Sequence, residues 1–297
     1  MTRYAVDDRS YIDRRVAAID AATLEGPVRG VLGDPIASVL DWRSKPVGYD
    51  FLNPSSGGVY RFAGSANGAA GRVPWGLVLK ITRAAESLDH GKPVPAELER
   101  SLRDAVRWDR ELLAYESGFL ESLAGGLAAA TCYGWAQHDD QTAWLWLEDL
   151  GDEFGGEPWS LERWARVARE LGRFNAHKAN ARDEWLGRGW LRTWVTKLTP
   201  FHFSTAVTAG PQWDEPRVKD AYPTATRERL DALWGEREPL LRAVEALTPV
   251  CSHLDSHRRN LVVRPSGVIA IDWVSSVLPR RVKRSHPASS ERSRRAR

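Results

Sequence analysis

The sequence predicts an α+β chain built as two unlike lobes, β-rich first and mainly helical second. Three observations carry that reading. Strand-like apolar patterns occupy much of the chain up to about residue 150. Beyond it, apolar residues recur at three- and four-residue spacings, the period of a helix with one buried face. A single short hairpin then falls late in the helical half, as NLVV, a turn at RPSG, and VIAI. An alternating βαβ pattern is absent, so a parallel sheet is not expected. The expected division is a first lobe over 1–147, a second over 148–278 and a tail over 279–297.

Taken in order, the first 45 residues read as a polar helix followed by irregular chain. GYDFLNPSSGGVYRFAG (48–64) reads as strand, Gly/Ser turn, strand. PWGLVLKITRA (74–84) is a strand with Val78 and Lys80 on one face and Leu77, Leu79 and Ile81 on the other. PAELERSLRDAVRWDRELLAYESGFLESL (95–123) predicts one long helix, with Leu98, Leu102, Val106, Leu113 and Leu120 at helical spacing. TAWLWLEDLGD (142–152) is an apolar strand that ends in acids and Gly. Ser160 is the expected N-cap of the next helix, with Trp164, Val167, Ala168, Leu171 and Phe174 as its inward stripe. Residues 185–198 and 223–247 also read as helical.

Composition narrows the class. Hydrophobic residues make up 42% and charged residues 27% of 297, the balance of an ordinary globular chain. The two cysteines, Cys132 and Cys251, form no disulfide framework and fit a reducing compartment. The charged N-terminus is no signal peptide, and no apolar run is long enough to span a membrane. The expected location is the cytoplasm. The net charge of +3 is a tail property: residues 279–297 hold eight Lys/Arg and one Glu, leaving the rest at −4. Such a tail can attract nucleic acid or an anionic surface, but the acidic body argues against it, and a solvated, disordered end is expected.

The chemistry concentrates in CSHLDSHRRNLVVRPSGVIAIDW (251–273). His253, Asp255 and Asn260 form H-x-D-x-x-x-x-N, and Ile271-Asp272-Trp273 follows twelve residues later. Phosphoryl transfer needs such a set: one carboxylate to take the proton of an attacking hydroxyl, and an amide oxygen and second carboxylate to hold Mg²⁺. Mg²⁺ prefers hard oxygen ligands, which suits Asn and Asp and not imidazole. The hairpin accounts for the spacing. Its first strand begins just after Asn260 and its second ends at Asp272, so both ligands return to one place.

With these motifs the chain resembles the aminoglycoside phosphotransferase and choline kinase-like family, which has the protein-kinase fold. The resemblance implies Asp255 as catalytic base, His253 as the residue shaping its loop, and Asn260 and Asp272 as Mg²⁺ ligands. Trp273 favours the small-molecule branch over protein kinases, which carry D-F-G there. Lys80 in GLVLK resembles the strand lysine that contacts ATP phosphates, and Glu111 in WDRELLAYESG resembles its helix partner. Ser56, Gly57 and Gly58 stand where a flexible loop would cover the phosphates. Glu148 and Leu150, in WLWLEDL (144–150), stand in the segment whose backbone would read adenine. The first lobe would then be the nucleotide-binding one. The implied activity is transfer of the γ-phosphoryl group of ATP to a hydroxyl of a small molecule: a sugar, amino sugar, aminoglycoside or amino alcohol.

The loop departs from the family pattern at Leu254, where Gly is usual, and at Arg258, where Pro is common. After Trp273 only 24 residues remain, mostly the Arg/Ser tail, where the family continues with a Gly-containing loop and several helices. That pattern reads as an ending altered by a frameshift or truncated gene model. The alternative it raises is an inactive nucleotide-binding or interaction protein of the same fold. Trp185, Trp190 and Trp194 are candidates to stack on a sugar ring, though core packing is the plainer reading. Asp183, Glu184, Asp214 and Glu215 are candidates to meet an ammonium group, though surface acids are the plainer reading.

Overall fold

Two helices open the described chain of this computed structural model, which describes residues 6–47, 55–84, 107–139, 141–151, 158–179, 183–199, 210–247 and 250–273, with Arg100, Ala181 and 277–278. Helix α1 (Val6–Ala17) is followed by α2 (Ala21–Leu32), capped by Asp20, whose carboxylate accepts the Thr23 N–H. The Gly and Pro residues of α2 look like breakers in sequence. In the fold Pro27 is buried, and at Gly30 a Cβ would lie 3.1 Å from the Tyr133 ring, so these small residues let the helix lie close on the sheet. Strand β1 (Ser38–Pro46) follows, where irregular chain was expected. Its charged, largely exposed sequence is that of an edge strand, which hides its period.

β2 (Ser56–Gly68) and β3 (Gly71–Arg83) form a long hairpin. The expected strand over 48–54 lies outside the described residues, and the expected Gly/Ser turn is not formed: Ser56, Gly57 and Gly58 already lie in β2, opposite Thr82 and Ile81. β1 can approach β2 because Gly64 has no side chain: a Cβ there would lie 2.0 Å from the Asp41 carbonyl oxygen. Leu77, Leu79 and Ile81 bury against Ile12, Val16, Leu24 and Val28 of the two helices. Val78 and Lys80 take the other face, as the alternation predicts.

The long helix expected over 95–123 is not continuous. Residues 95–99 and 101–106 lie outside the described set; Trp108 and Asp109 form a turn, and α3 (Arg110–Glu116) starts afresh. Arg107 donates twice to the Asp109 carboxylate, a pairing two residues apart that a helix cannot make. Gly118, at φ 70°, ends α3 before a 3₁₀ turn over Phe119–Ser122. Then come β4 (Leu127–Ala129), β5 (Cys132–Asp139) and β6 (Thr142–Glu148), of which only β6 was expected. The antiparallel sheet runs β1-β2-β3-β6-β5. β6 is buried on both faces, with Trp144 and Trp146 against the helix side and Leu145 and Leu147 against Leu112 of α3.

The second part begins with α4 (Leu161–His177), capped as expected by Ser160, which accepts the Arg163 N–H. Its inward residues are Val167, Glu170 and Phe174, with Leu171 beside them. Trp164 and Ala168, expected inside, are exposed, because the buried line runs one position round the helix. A two-residue β7 (Gly187–Arg188) precedes α5 (Trp190–Thr193), which continues as a π-helical turn over Trp194–Leu198. α6 (Pro216–Ala221), α7 (Thr224–Gly235) and α8 (Arg237–Glu245) complete the helices, the last two separated at Glu236. Arg192 of α5 donates to Glu238 and Glu245 of α8 and holds the two together.

The expected hairpin is present as β8 (Leu261–Arg264) and β9 (Gly267–Ala270), and β10 (Val277–Leu278) pairs with β7. β4 joins this hairpin in parallel with β9. The second core gathers Phe119, Leu127, Phe174, Trp185, Leu261, Val268 and Trp273. This is the two-part α+β arrangement expected. Among the described residues no helix is long and apolar enough to cross a membrane. The tail, 279–297, lies outside them.

Candidate active site

Lys80 stands on the face of β3 opposite the α1–α2 core, and α3 and the end of the hairpin converge on it. Its ammonium pairs with the buried Glu111 of α3 and, at 3.0 Å, with Oδ1 of Asp272. Burial works against the Lys80 charge, but Asp272 and Glu111 outweigh it and hold the ammonium well above its usual pKa. Burial likewise opposes ionisation of Asp272, and Lys80 overcomes it, so that carboxyl lies below the usual range. Glu111 is pushed the other way by burial, which Lys80 only partly offsets. Three charges from three distant chain segments thus meet at one point.

Backbone geometry explains how Asp272 reaches it. Asp272 has φ 65°, a left-handed conformation that Asp tolerates better than most residues. The next residue, Trp273, is fully buried; its indole N–H donates to the Ala270 carbonyl and its ring meets Phe174 edge-on at 5.6 Å. Its backbone N–H faces Glu111 Oε1 at 3.4 Å. Asp272 is therefore held from one side by a core anchor and from the other by an ion pair.

The loop before β8 carries the other expected residues. Asn260, buried, donates its amide hydrogens to the carbonyl and to Oδ2 of Asp255, at 3.0 and 2.9 Å. This leaves the amide oxygen for a hard cation and fixes the half-exposed Asp255 carboxylate, whose Oδ1 lies 3.6 Å from Nε2 of His257. The Ile271 N–H donates to the Asn260 carbonyl at 3.0 Å, which brings Asp272 beside Asn260. The donor set, one amide and one carboxylate oxygen, fits Mg²⁺. Among the described residues no three His, Cys, Asp or Glu side chains gather as a separate metal site.

His253 is a strut within the loop. Its Nε2 lies 2.9 Å from the Ile271 carbonyl, which makes that nitrogen the proton carrier, and its ring stands edge-on to Trp273 at 4.7 Å. Burial lowers its pKa and keeps it neutral. Nδ1 has no hydrogen-bond partner among the described residues. Leu254, between His253 and Asp255, has φ 54°. A Gly would take this conformation without strain, so the departure seen in the sequence has a backbone cost. The buried Cys251 thiol is pushed up to about 12 by burial, and it is no nucleophile.

The remaining expected residues are spread over β2, the end of β6 and the segment after it, and Gly57 faces the α1–α2 core and not Lys80. Ser56, Gly57 and Gly58 begin β2, and Gly58 pairs across the hairpin with Ile81, next to Lys80. A Cβ on Gly57 would come within 2.5 Å of Ile81 Cγ2, so this glycine also serves the packing of the sheet. Glu148 ends β6, accepting from Thr131 through Oε2 and pairing through Oε1 with Arg264 of the hairpin. Leu150 is buried with Ala130 and Val262. Of the tryptophans, Trp185 belongs to the core against Phe119, while Trp190 and Trp194 stack with ring centroids 5.2 Å apart. Asp214 pairs with Lys219 at the surface, and Glu184 and Glu215 are exposed.

The sequence did not point to Arg61 and Asp149. Arg61 of β2 pairs with Asp149, after β6, at 2.9 Å, and donates to the Gly151 carbonyl at 2.9 Å. Nor did it point to Arg110, which is fully buried and donates to the Trp185 carbonyl, with its pKa lowered by burial to about 10. Strand alternation places Arg61 on the face of Lys80 only once the β2–β3 register is known.

No protein-family model matches the chain, and no curated protein does. Among solved structures it is similar to spectinomycin phosphotransferase APH(9)-Ia, crystallised with ADP and spectinomycin: 13% identity, TM-score 0.41, covering 89% of this chain and 71% of that one. It is also similar to an aminoglycoside phosphotransferase from Alicyclobacillus acidocaldarius: 15% identity, TM-score 0.35, covering 81% of this chain and 63% of the other. The chain thus spans less than two thirds of the second structure's length.

Proposed function

We propose that this chain is a small-molecule kinase of the aminoglycoside phosphotransferase and choline kinase-like type, with residues 1–147 as its nucleotide-binding lobe and 148–278 as its helical lobe. It would transfer the γ-phosphoryl group of ATP to a hydroxyl of a sugar, amino sugar, aminoglycoside or amino alcohol. The observation that carries this reading is the meeting of Lys80 with Glu111 and Asp272, the residues that the family resemblance had singled out. In the reaction Lys80, set by Glu111, steadies the phosphates. Asp255 receives the proton of the attacking hydroxyl at Oδ1, while Asn260 holds Oδ2. Asn260 and Asp272 would hold Mg²⁺, which when bound neutralises phosphate charge. His253 keeps the loop in register and takes no proton.

The test is ADP release over a panel of hydroxyl acceptors, with Asp255→Asn as control. Wild type is expected to turn over with at least one acceptor class. The variant is expected to lose about 10²–10⁴ in kcat, the usual worth of a positioned base, with nucleotide affinity nearly unchanged. Wild-type turnover in the variant removes Asp255 as base. Nucleotide binding without ADP release from any acceptor removes the kinase reading.

A further inference from the structure

A cavity of about 500 Å³ lies between α1 and the ends of β3, β5 and β6. Its inner wall is apolar: Ile12 of α1, with Ile81 and Trp144, which face each other across β3 and β6, and all three are buried. Lys80 and Leu145 form the next pair along the same two strands, with their side chains on the opposite face. The cavity and the Lys80 charge cluster therefore stand back to back on one sheet. Asp13 of α1 accepts the Tyr60 hydroxyl at 2.7 Å, which fixes the helix wall to β2. The outer wall is charged. Arg15 and Arg83 line it with Asp139, two positive charges to one negative. Arg15 is loosely held: its Nη1 lies 3.8 Å from Asp139 Oδ2 and 3.4 Å from the Tyr11 hydroxyl, both longer than the roughly 2.7–2.9 Å of a full charge-assisted bond. Its guanidinium carbon stands 5.6 Å from the Trp144 ring, near the outer limit of a cation–π contact. Asp139 is engaged elsewhere, since its Oδ1 accepts the Gln141 N–H at 2.8 Å.

We infer that this cavity is a binding site for a small monocarboxylate with an apolar body: the carboxylate pairs with the Arg15 guanidinium, and the body lies on Ile12, Ile81 and Trp144. The volume falls within the roughly 300–1,000 Å³ of small-molecule sites, which join an apolar lining to a few placed polar groups. The planar Arg15 fork matches a carboxylate through two parallel bonds, stronger than its present long contacts. The charge balance selects a monoanion, because Asp139 beside Arg15 repels the second charge of a phosphate. The site is separate from Lys80, and the inference does not rest on the proposed function.

The experiment measures the affinity of the full chain by ligand-detected NMR titration for phenylpropanoate and octanoate, and for the matching alcohols, phenylpropanol and octanol, which keep the body and lack the charge. Wild type is expected to bind at least one of the acids with a Kd of about 1 mM or tighter, and its alcohol about tenfold more weakly. Arg15→Met keeps the stem and removes the charge; it is expected to weaken the acid about tenfold and leave the alcohol unchanged, which a general loss of structure would not do. Arg15→Lys keeps the charge and removes the fork. It is expected to weaken the acid about threefold, and it decides the matter if Arg15→Met does not melt cooperatively. Failure of wild type to bind either acid overturns the inference. So does equal affinity for acid and alcohol, or acid binding that neither Arg15 variant alters. None of these outcomes touches the kinase reading, which depends on the other face of the sheet.

Discussion

Leu254 shows how a single residue carries both a sequence signal and a physical cost. It occupies the left-handed region at φ 54°, in the loop that sets Asp255, and its side chain is 43% exposed. Left-handed geometry costs a branched L-residue about 1–2 kcal/mol, and Gly loses about 0.5–1 kcal/mol to backbone entropy. Leu254→Gly is therefore expected to stabilise the protein by roughly 0.5–1 kcal/mol. Urea denaturation checks this, and a loss of stability would mean that Leu254 packs more than its exposure suggests. At this scale the site was largely legible. His253, Asp255, Asn260 and Asp272 could be named because their motif spacing encloses a hairpin, and Lys80 and Glu111 because the short segments around them resemble those of the kinase-like family. Arg61, Asp149 and Arg110 could not, because each acts through a partner reached only across strands or between lobes.

The elements were legible in proportion to how far burial writes a period into them. β3 and β6, buried in the sheet, and the hairpin β8–β9 show their alternation plainly. β1 and β5 are edge strands with mostly exposed residues, so charge masks their period. The break before α3 was hidden because helical spacing continues through it, while the Arg107–Asp109 pair that marks the turn is a local side-chain contact with no periodic signature. Among elements, the hairpin most directly positions Asn260 and Asp272, the proposed Mg²⁺ ligands, and its turn is tightly fitted. A Cβ on Gly267 would lie 2.3 Å from the Gly126 carbonyl oxygen, where β4 approaches β9. Gly267→Ala is expected to cost about 1–3 kcal/mol by overpacking. It should also weaken Mg·ATP binding, because separating β4 from β9 loosens both ends of the hairpin. Unchanged stability by urea denaturation would show that the β4–β9 contact yields cheaply.

Over the whole molecule, the two parts are joined by a chain of polar contacts that ends in the site. Lys80 of the sheet holds Asp272; Glu111 faces the Trp273 N–H; Arg110 donates to Trp185; Glu148 pairs with Arg264. Each contact links the sheet, or the helix packed on it, to the second core. The two-lobed order was legible from the sequence of periodicities, but these links were not, since none lies within one local pattern. They make the charge cluster a consequence of the fold: the charges that would grip phosphates also bring sheet, helix and hairpin together. The proposed function requires that this cluster hold a nucleotide through Asp272. Thermal melting of wild type and Asp272→Ala, with and without millimolar Mg·ATP, tests this most directly. A ligand at about 100 times its Kd adds roughly 2.7 kcal/mol to the folded state, which a melt detects. The account predicts a clear upward shift for wild type and little or none for the variant. Equal shifts in both, or a cooperative wild-type melt that Mg·ATP leaves unmoved, would contradict it.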